Sequence, residues 1–232
     1  MNRSQEKEMM DLPGNPPELL REDLRNLRTI NRYVGGYRSV MRGLEWLIRK
    51  ERMLRFSLLD VGTGSGDIPA VIVEWARSKA MDVRIVALEP EPVTAEEAAH
   101  QTRRFPEVGI LSADGAAPPF HPGSFDFVLS SQLLHHFSED AIVALLKSWS
   151  RVARKAIIVS DLVRHPVAYY GIRLITSLFT RNVMTLTDAP LSVRRAFTIN
   201  EWRDLFRRAE VGPFVLIPIF PYRHTTIIFV SA

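Results

Sequence analysis

Leu58-Leu59-Asp60-Val61-Gly62-Thr63-Gly64-Ser65-Gly66-Asp67 is the stretch on which the reading of this chain turns. An apolar run, Phe56–Val61, stops at three alternating glycines, and a helical pattern opens at Ile68. Glycines there let the backbone turn sharply and approach a ligand at the N-terminus of the next helix. A dinucleotide-binding loop requires a small residue where Asp67 stands. A carboxylate at that point would face a pyrophosphate, so Asp67 reads as a helix cap, with Pro69 early in the helix.

Outward from this loop, strands and helices alternate. Strands are expected at Phe56–Val61, Val83–Glu89, Gly109–Ser112, Phe125–Ser130 and Ala156–Leu162, with helices at Ile68–Lys79, Thr94–Phe105 and Glu139–Val152. Units of this length build a parallel sheet covered on both faces. Right-handed crossovers then make it doubly wound. Phe214–Ile219 and Thr225–Val230 are two further strands joined only by Phe220–His224, too short for a crossover, so they pair antiparallel. The fold class is α/β: a doubly wound, mostly parallel seven-stranded sheet with an antiparallel C-terminal hairpin and extra N-terminal helices. Those helices fill Glu18–Arg55, broken at Gly35-Gly36. Val167–Phe179 and Glu201–Ala209 are also helical, and Thr180–Pro190 reads as a polar segment between them. The loop-forming cluster Leu12–Pro17 should leave the first sixteen residues frayed.

Composition narrows the chemistry. The 232 residues are 46% hydrophobic and 24% charged, which is globular, and contain no cysteine. Disulfides, thiolate-ligated metals and thiolate nucleophiles are therefore excluded. Net charge is +4, but residues 58–150 hold 6 basic and 13 acidic side chains, while residues 151–210 hold 11 and 5. The acidic middle is flanked by basic segments that are solvated faces or surfaces for an acidic or membrane partner. No N-terminal apolar region resembles a targeting signal, so a soluble, cytoplasmic protein is the expectation.

The acidic residues fall where a ligand would sit. Glu89 ends the second strand, placed to accept from ribose hydroxyls. Asp114, in Ala113-Asp114-Gly115 after the third strand, could accept from an adenine amine, and Asp60 adds a carboxylate beside the loop. Such a pocket suits an adenosine that carries positive charge and no phosphate. S-adenosylmethionine has that character.

Asp60–Gly66, Glu89, Ala113-Asp114-Gly115 and Ser124–Ser130 resemble the successive motifs of class I S-adenosylmethionine-dependent methyltransferases, over roughly Phe56–Leu162. The likeness is to the small-molecule branch that includes quinone-biosynthesis enzymes. It implies that Asp60, Gly62 and Gly64, in the loop that Gly66 closes, meet the methionine moiety. Glu89 would hold the ribose, Asp114 and Gly115 the adenine, and Ser130 would line the methyl-transfer end. The cofactor would leave as S-adenosylhomocysteine. Asp23–Arg28 and Gly35-Gly36 are similar to methyltransferases found with phenolic-lipid polyketide pathways, which favours a phenolic hydroxyl acceptor and O- over C-methylation. On this reading residues 1–55 are a helical cap, 56–163 the cofactor-binding core, 164–200 a helical insertion serving as acceptor lid, and 201–232 the final helix and strand pair.

A hydroxyl acceptor benefits from a base, and His135 and His136 follow the fourth strand at the edge where ligands bind in such sheets. Asp161 and His165 are rivals beyond the fifth strand. No Asp-Asn pair follows the fourth or fifth strand, so no metal is expected. Ser130-Ser131-Gln132-Leu133 lacks the Pro-Pro-aromatic motif of amino-methylating nucleic-acid enzymes, and nucleic acid is not an expected partner. Tyr33, Tyr37, Tyr169, Tyr170, Phe179 and Met184 are candidates for the acceptor lining. The chain leaves the oligomeric state open. It also keeps two alternatives, an NAD(P)-dependent oxidoreductase and a non-catalytic partner subunit on the same fold.

Overall fold

The glycine loop leaves the carboxyl end of an inner strand of a seven-stranded sheet. The computed structural model describes residues 1–230, and the last two residues of the 201–232 segment lie outside them. Strands β1 (Arg55–Val61), β2 (Asp82–Leu88), β3 (Val108–Leu111), β4 (Phe125–Ser131), β5 (Ala153–Leu162), β6 (Phe214–Ile219) and β7 (Arg223–Phe229) lie in the order β3-β2-β1-β4-β5-β7-β6. The first five are parallel, and β7 runs antiparallel to both β5 and β6. The strand order reverses between β1 and β4, and that switch point is where open α/β sheets bind ligands.

Side-chain alternation sorts the core into two layers. Leu59 and Val61 of β1 join Ile157 and Val159 of β5 on the face covered by α5 (Glu139–Val152) and α8 (Ile199–Ala209), around Trp149 and Trp202. Phe56, Leu58, Ala156 and Ile158 point to the other face. There they meet α2 (Gly36–Glu51) and α3 (Asp67–Ser78). Helix α4 (Pro92–Thr102) follows β2, and α1 (Pro17–Tyr33), α6 (Pro166–Phe179) and α7 (Val183–Arg195) stand over the carboxyl edge. No helix among the described residues is long and apolar enough to cross a membrane.

Two expectations fail. Thr180–Pro190 is mostly helix: Asn182 caps α7 by accepting from Thr185 N–H, and Met184, Leu191 and Val193 are buried. Tertiary burial outweighs the low propensity of its threonines and the interior Pro190. The N-terminal arm does not fray either. Ser4 N–H bonds the Arg194 carbonyl at 3.0 Å, and the Met9 and Met10 amides bond the Asp188 carboxylate at 2.8 and 3.0 Å. Helix α6 turns an apolar stripe outward, with Val167, Tyr170, Leu174 and Leu178 all more than half exposed.

Candidate functional site

The amides of Gly62 and Thr63 both donate to the Leu88 carbonyl at 3.0 Å, binding the glycine loop to the end of β2. Gly64 takes φ +57°, and a Cβ there would meet nothing within 4 Å, so its face is open to a ligand. Its amide donates to Glu89 Oε2 at 3.0 Å, while Glu89 Oε1 accepts from Glu91 N–H at 3.2 Å. Burial pushes Glu89 up to about 7 despite those two bonds. Asp60 is also raised to about 7, by burial and by the neighbouring Asp67 and Glu89 charges, and its Oδ2 is buried without a partner. These groups line a cleft of about 420 Å³ bordered by eight carboxylates and by no lysine or arginine.

Asp60, Gly62, Gly64, Glu89, His135 and His136 share that cleft; Gly66, Asp114, Gly115 and Ser130 do not line it. Gly66 is pressed against α4, where a Cβ would sit 3.0 Å from Thr102 Cγ2. A Cβ at Gly115 would overlap the Val61 side chain, and the Gly115 carbonyl accepts from Trp149 Nε1–H at 2.8 Å. Asp114 is exposed and accepts from Ala116 N–H at 2.8 Å. Ser130 is buried with its hydroxyl unpartnered. Gly66, not Asp67, occupies the cap position of α3. Asp67 is the first helical residue, and its carboxylate accepts from Ser65 Oγ at 3.2 Å and Asn31 Nδ2 at 3.2 Å.

At the opposite end of the cleft His135 Nδ1 bonds Asp161 Oδ1 at 2.7 Å, and its Nε2 lies 3.6 Å from Glu8 Oε1. The ring and both carboxylates of that trio are almost wholly buried. Burial opposes the His135 charge, but Asp161 and Glu8 prevail and hold it up at about 9. Glu8 and Asp161 are correspondingly held below the usual carboxylate range against the pull of burial. His136 Nδ1 bonds Asp11 Oδ2 at 2.8 Å. His165 is elsewhere: it caps α6, its Nδ1 accepting from Val167 N–H at 3.2 Å.

Glu8, His135 and His136 bring three atoms of metal-ligand type within 4.8 Å of one another. Arg195 Nε stands 3.6 Å from the same Glu8 oxygen, so the carboxylate already faces a guanidinium and an imidazole. That balance of charge describes an ion network. Glu8 is the residue that sequence reasoning missed outright, because 127 positions separate it from His135 and no motif joins them. Asn31 and Gln132 were missed as well. Gln132 Nε2 donates to Asn31 Oδ1 at 2.6 Å, tying α1 to the loop after β4, and Gln132 sits at φ +53°. A left-handed non-glycine residue beside a cleft is strain of the kind found at functional sites.

A second cavity, of about 360 Å³, shares Leu27, Gln132, Leu162, Ala189 and Ser192 with the first and is otherwise largely apolar, with Ile30, Val34, Ile172 and Val193 in its wall. None of the six residues expected to line an acceptor does so in either cavity. Tyr33, Tyr170 and Phe179 face outward, and Met184 is buried against Leu20 and Leu24. Helices α1, α6 and α7, which carry five of the six, reach these cavities through other residues, and α2, which carries Tyr37, reaches neither.

Residues 58–156 match the family model described as a methyltransferase domain. No curated protein sequence matches the chain. Among solved structures, a SAM-dependent methyltransferase from Aquifex aeolicus aligns at TM-score 0.64 and 16% identity, covering 94% of this chain and 100% of that one. The CurJ carbon methyltransferase aligns at TM-score 0.68 and 14% identity, covering 94% and 62%. An O-methyltransferase family 2 protein from Planctomyces limnophilus, in complex with apigenin, aligns at 0.64 and 17%, covering 95% and 63%. The chain thus spans the whole Aquifex protein but under two thirds of the other two. At these identities the likeness is one of fold. Residues 58–156 are thus similar to a methyltransferase domain, and the chain shares its fold with solved S-adenosylmethionine-dependent methyltransferases.

Proposed function

We propose that the protein transfers the methyl group of S-adenosylmethionine to a hydroxyl oxygen of a small, apolar, phenolic acceptor. The observation that carries this reading is the pairing of cavities: an acidic cleft without lysine or arginine, lined by His135, shares part of its wall with an apolar pocket. A diphosphate cofactor would meet eight carboxylates there; a sulfonium and an ammonium are matched by them. Glu89, Asp60 and the open face of Gly64 are the groups that would hold the adenosyl and methionyl parts.

When bound, the cofactor supplies a methyl group on a cationic leaving atom, open to in-line displacement. The chain's part is alignment, exclusion of water and removal of the acceptor's proton. His135 Nε2 is the atom for that proton, because Asp161 fixes the ring through Nδ1. A base held near 9 is well matched to a phenol, whose ordinary value is ~10. The outward stripe of α6, with exposed Arg173 and Arg181 on and just beyond it, supports a lipid-like acceptor met at an anionic membrane surface.

The test is calorimetry with S-adenosylmethionine and S-adenosylhomocysteine, followed by transfer of labelled methyl to alkylphenols in detergent and in anionic vesicles. Saturable binding and a labelled ether are expected, formed faster from vesicles. Absence of binding overturns the cofactor reading, a labelled ring carbon overturns the oxygen acceptor, and equal rates in the two media overturn the membrane contact.

A further inference from the structure

The apolar pocket contains one cation, Arg223, and its position at the start of β7 places it in the wall with Val34 and Tyr222. The residue is 3% exposed. Its Nε donates to the Val34 carbonyl at 3.0 Å, and its Nη1 is buried without a partner. Asp161 is the carboxylate that favours its charge, but Asp161 Oδ1 makes its short contacts with His135 and with Leu162 N–H at 2.7 Å each. Burial draws the guanidinium down to about 10, where it remains charged at neutral pH.

A buried arginine with five donors and so few acceptors is costly unless something else completes it. Most of the remaining wall, Leu162, Ile172, Val193 and Phe220 included, has no polar side-chain atom to give, and its polar side chains, Gln132, Ser192 and Tyr222, make no hydrogen bond to Arg223. The pocket adjoins the cleft that holds His135 and shares Leu162 and Gln132 with it. One molecule could therefore present a hydroxyl toward His135 and an anionic oxygen toward Arg223.

We infer that Arg223 is an acceptor-binding residue and that the acceptor is a phenolic acid, its carboxylate held by the guanidinium and its apolar part by the surrounding pocket. This deepens the proposed function and rests on it for the identity of the pocket as the acceptor site. Beyond the Nε bond to Val34 the guanidinium has no side-chain or backbone acceptor among the described residues, and a planar carboxylate fits its fork of donors better than a single carbonyl does.

The experiment compares an octyl-substituted hydroxybenzoic acid with its methyl ester, binding each by calorimetry to the full chain saturated with S-adenosylhomocysteine. The acid should bind at least about tenfold tighter, consistent with one charge-assisted bidentate contact. Arg223→Met should bring acid and ester to the same affinity, and Arg223→Lys should keep part of the difference. Thermal melting and S-adenosylhomocysteine affinity report whether each variant folds. Equal binding of acid and ester by the unaltered chain overturns the inference without recourse to any variant. The two readings fail separately: methyl transfer with no preference for the acid removes Arg223's role alone. Tight binding of the acid without transfer of labelled methyl retains Arg223's role and removes the catalytic reading.

Discussion

The two ends of the cleft use the same residue types in opposite electrical states. At the glycine loop, Asp60 and Glu89 are buried with no cation beside them, and both are raised to about 7. At the histidine end, Glu8, Asp11 and Asp161 are just as deliberately placed but lie against His135, His136 or Arg195, and all three are lowered. One end is short of positive charge and the other is balanced. Carboxylates left buried and uncompensated are unfavourable in the free protein, so their retention makes sense as half of a pair that a cationic ligand completes. The balanced end is a lock between the N-terminal arm and the loop after β4. A search for strongly shifted acids finds the first region, and a search for ion pairs finds the second; only together do they outline the site.

The largest expected effect lies at the balanced end. His135→Gln should lower turnover by about 10²–10⁴, the range for loss of a general base, while leaving S-adenosylmethionine affinity within about twofold. Single-turnover transfer from labelled cofactor measures the first and calorimetry the second. A variant retaining a third or more of the activity would reduce His135 to a structural partner of Asp161. Glutamine keeps a donor for Asp161 but not the charge, so thermal melting is recorded alongside, because losing one member of a buried pair leaves the other charge uncompensated, at about 3–5 kcal/mol.

At the unbalanced end the effect is smaller and shows in binding. Glu89→Ala should weaken S-adenosylmethionine by about 1–2 kcal/mol, roughly tenfold or somewhat more. The unaltered protein should also release protons on binding near pH 7. Asp60 and Glu89 are partly protonated there at about 7, and an arriving cation favours their ionised forms. Calorimetry in buffers of different ionisation enthalpy counts those protons, and Glu89→Ala should release fewer. Binding with no proton release would mean that the cation sits away from these two acids.

Much of this was legible beforehand because it is local. The Gly62–Gly66 turn, the strand that leads to Glu89 and the helix beginning at Glu139 each declare themselves within a dozen residues. The short Phe220–Tyr222 connection announced the antiparallel strand pair in the same way. What escaped was set by packing between distant segments. Gly66 stands in the same loop as Gly62 and Gly64, and Gly115 follows the third strand, yet they serve contacts with α4 and with Val61. Nothing near Glu8 shows that the arm would reach His135. Nor does the sequence around Arg223 reveal a nearly unpaired guanidinium in an apolar wall.

The smallest effect links the arm to the chemistry through pH. A base acts unprotonated, and the unprotonated fraction of His135 grows as pH rises through its value of about 9. Transfer should therefore climb between pH 7 and 9 and then level. Glu8 is one of the charges that raise His135, so Glu8→Gln should move the climb to lower pH and increase the rate at pH 7. Stability follows the same group with the opposite sense. A histidine raised in the folded state contributes fully below its ordinary value of 6.5, and that contribution is lost as pH rises through about 9. The arm is accordingly held least firmly in the range where the base becomes available, and Glu8→Gln should melt lower than the unaltered chain at pH 6 with the gap closing by pH 9. Rate profiles and melting curves of the two proteins across that range check both halves. A rate profile unmoved by Glu8→Gln would separate the arm from the catalytic group, leaving Glu8 as an anchor for residues 3–11 alone.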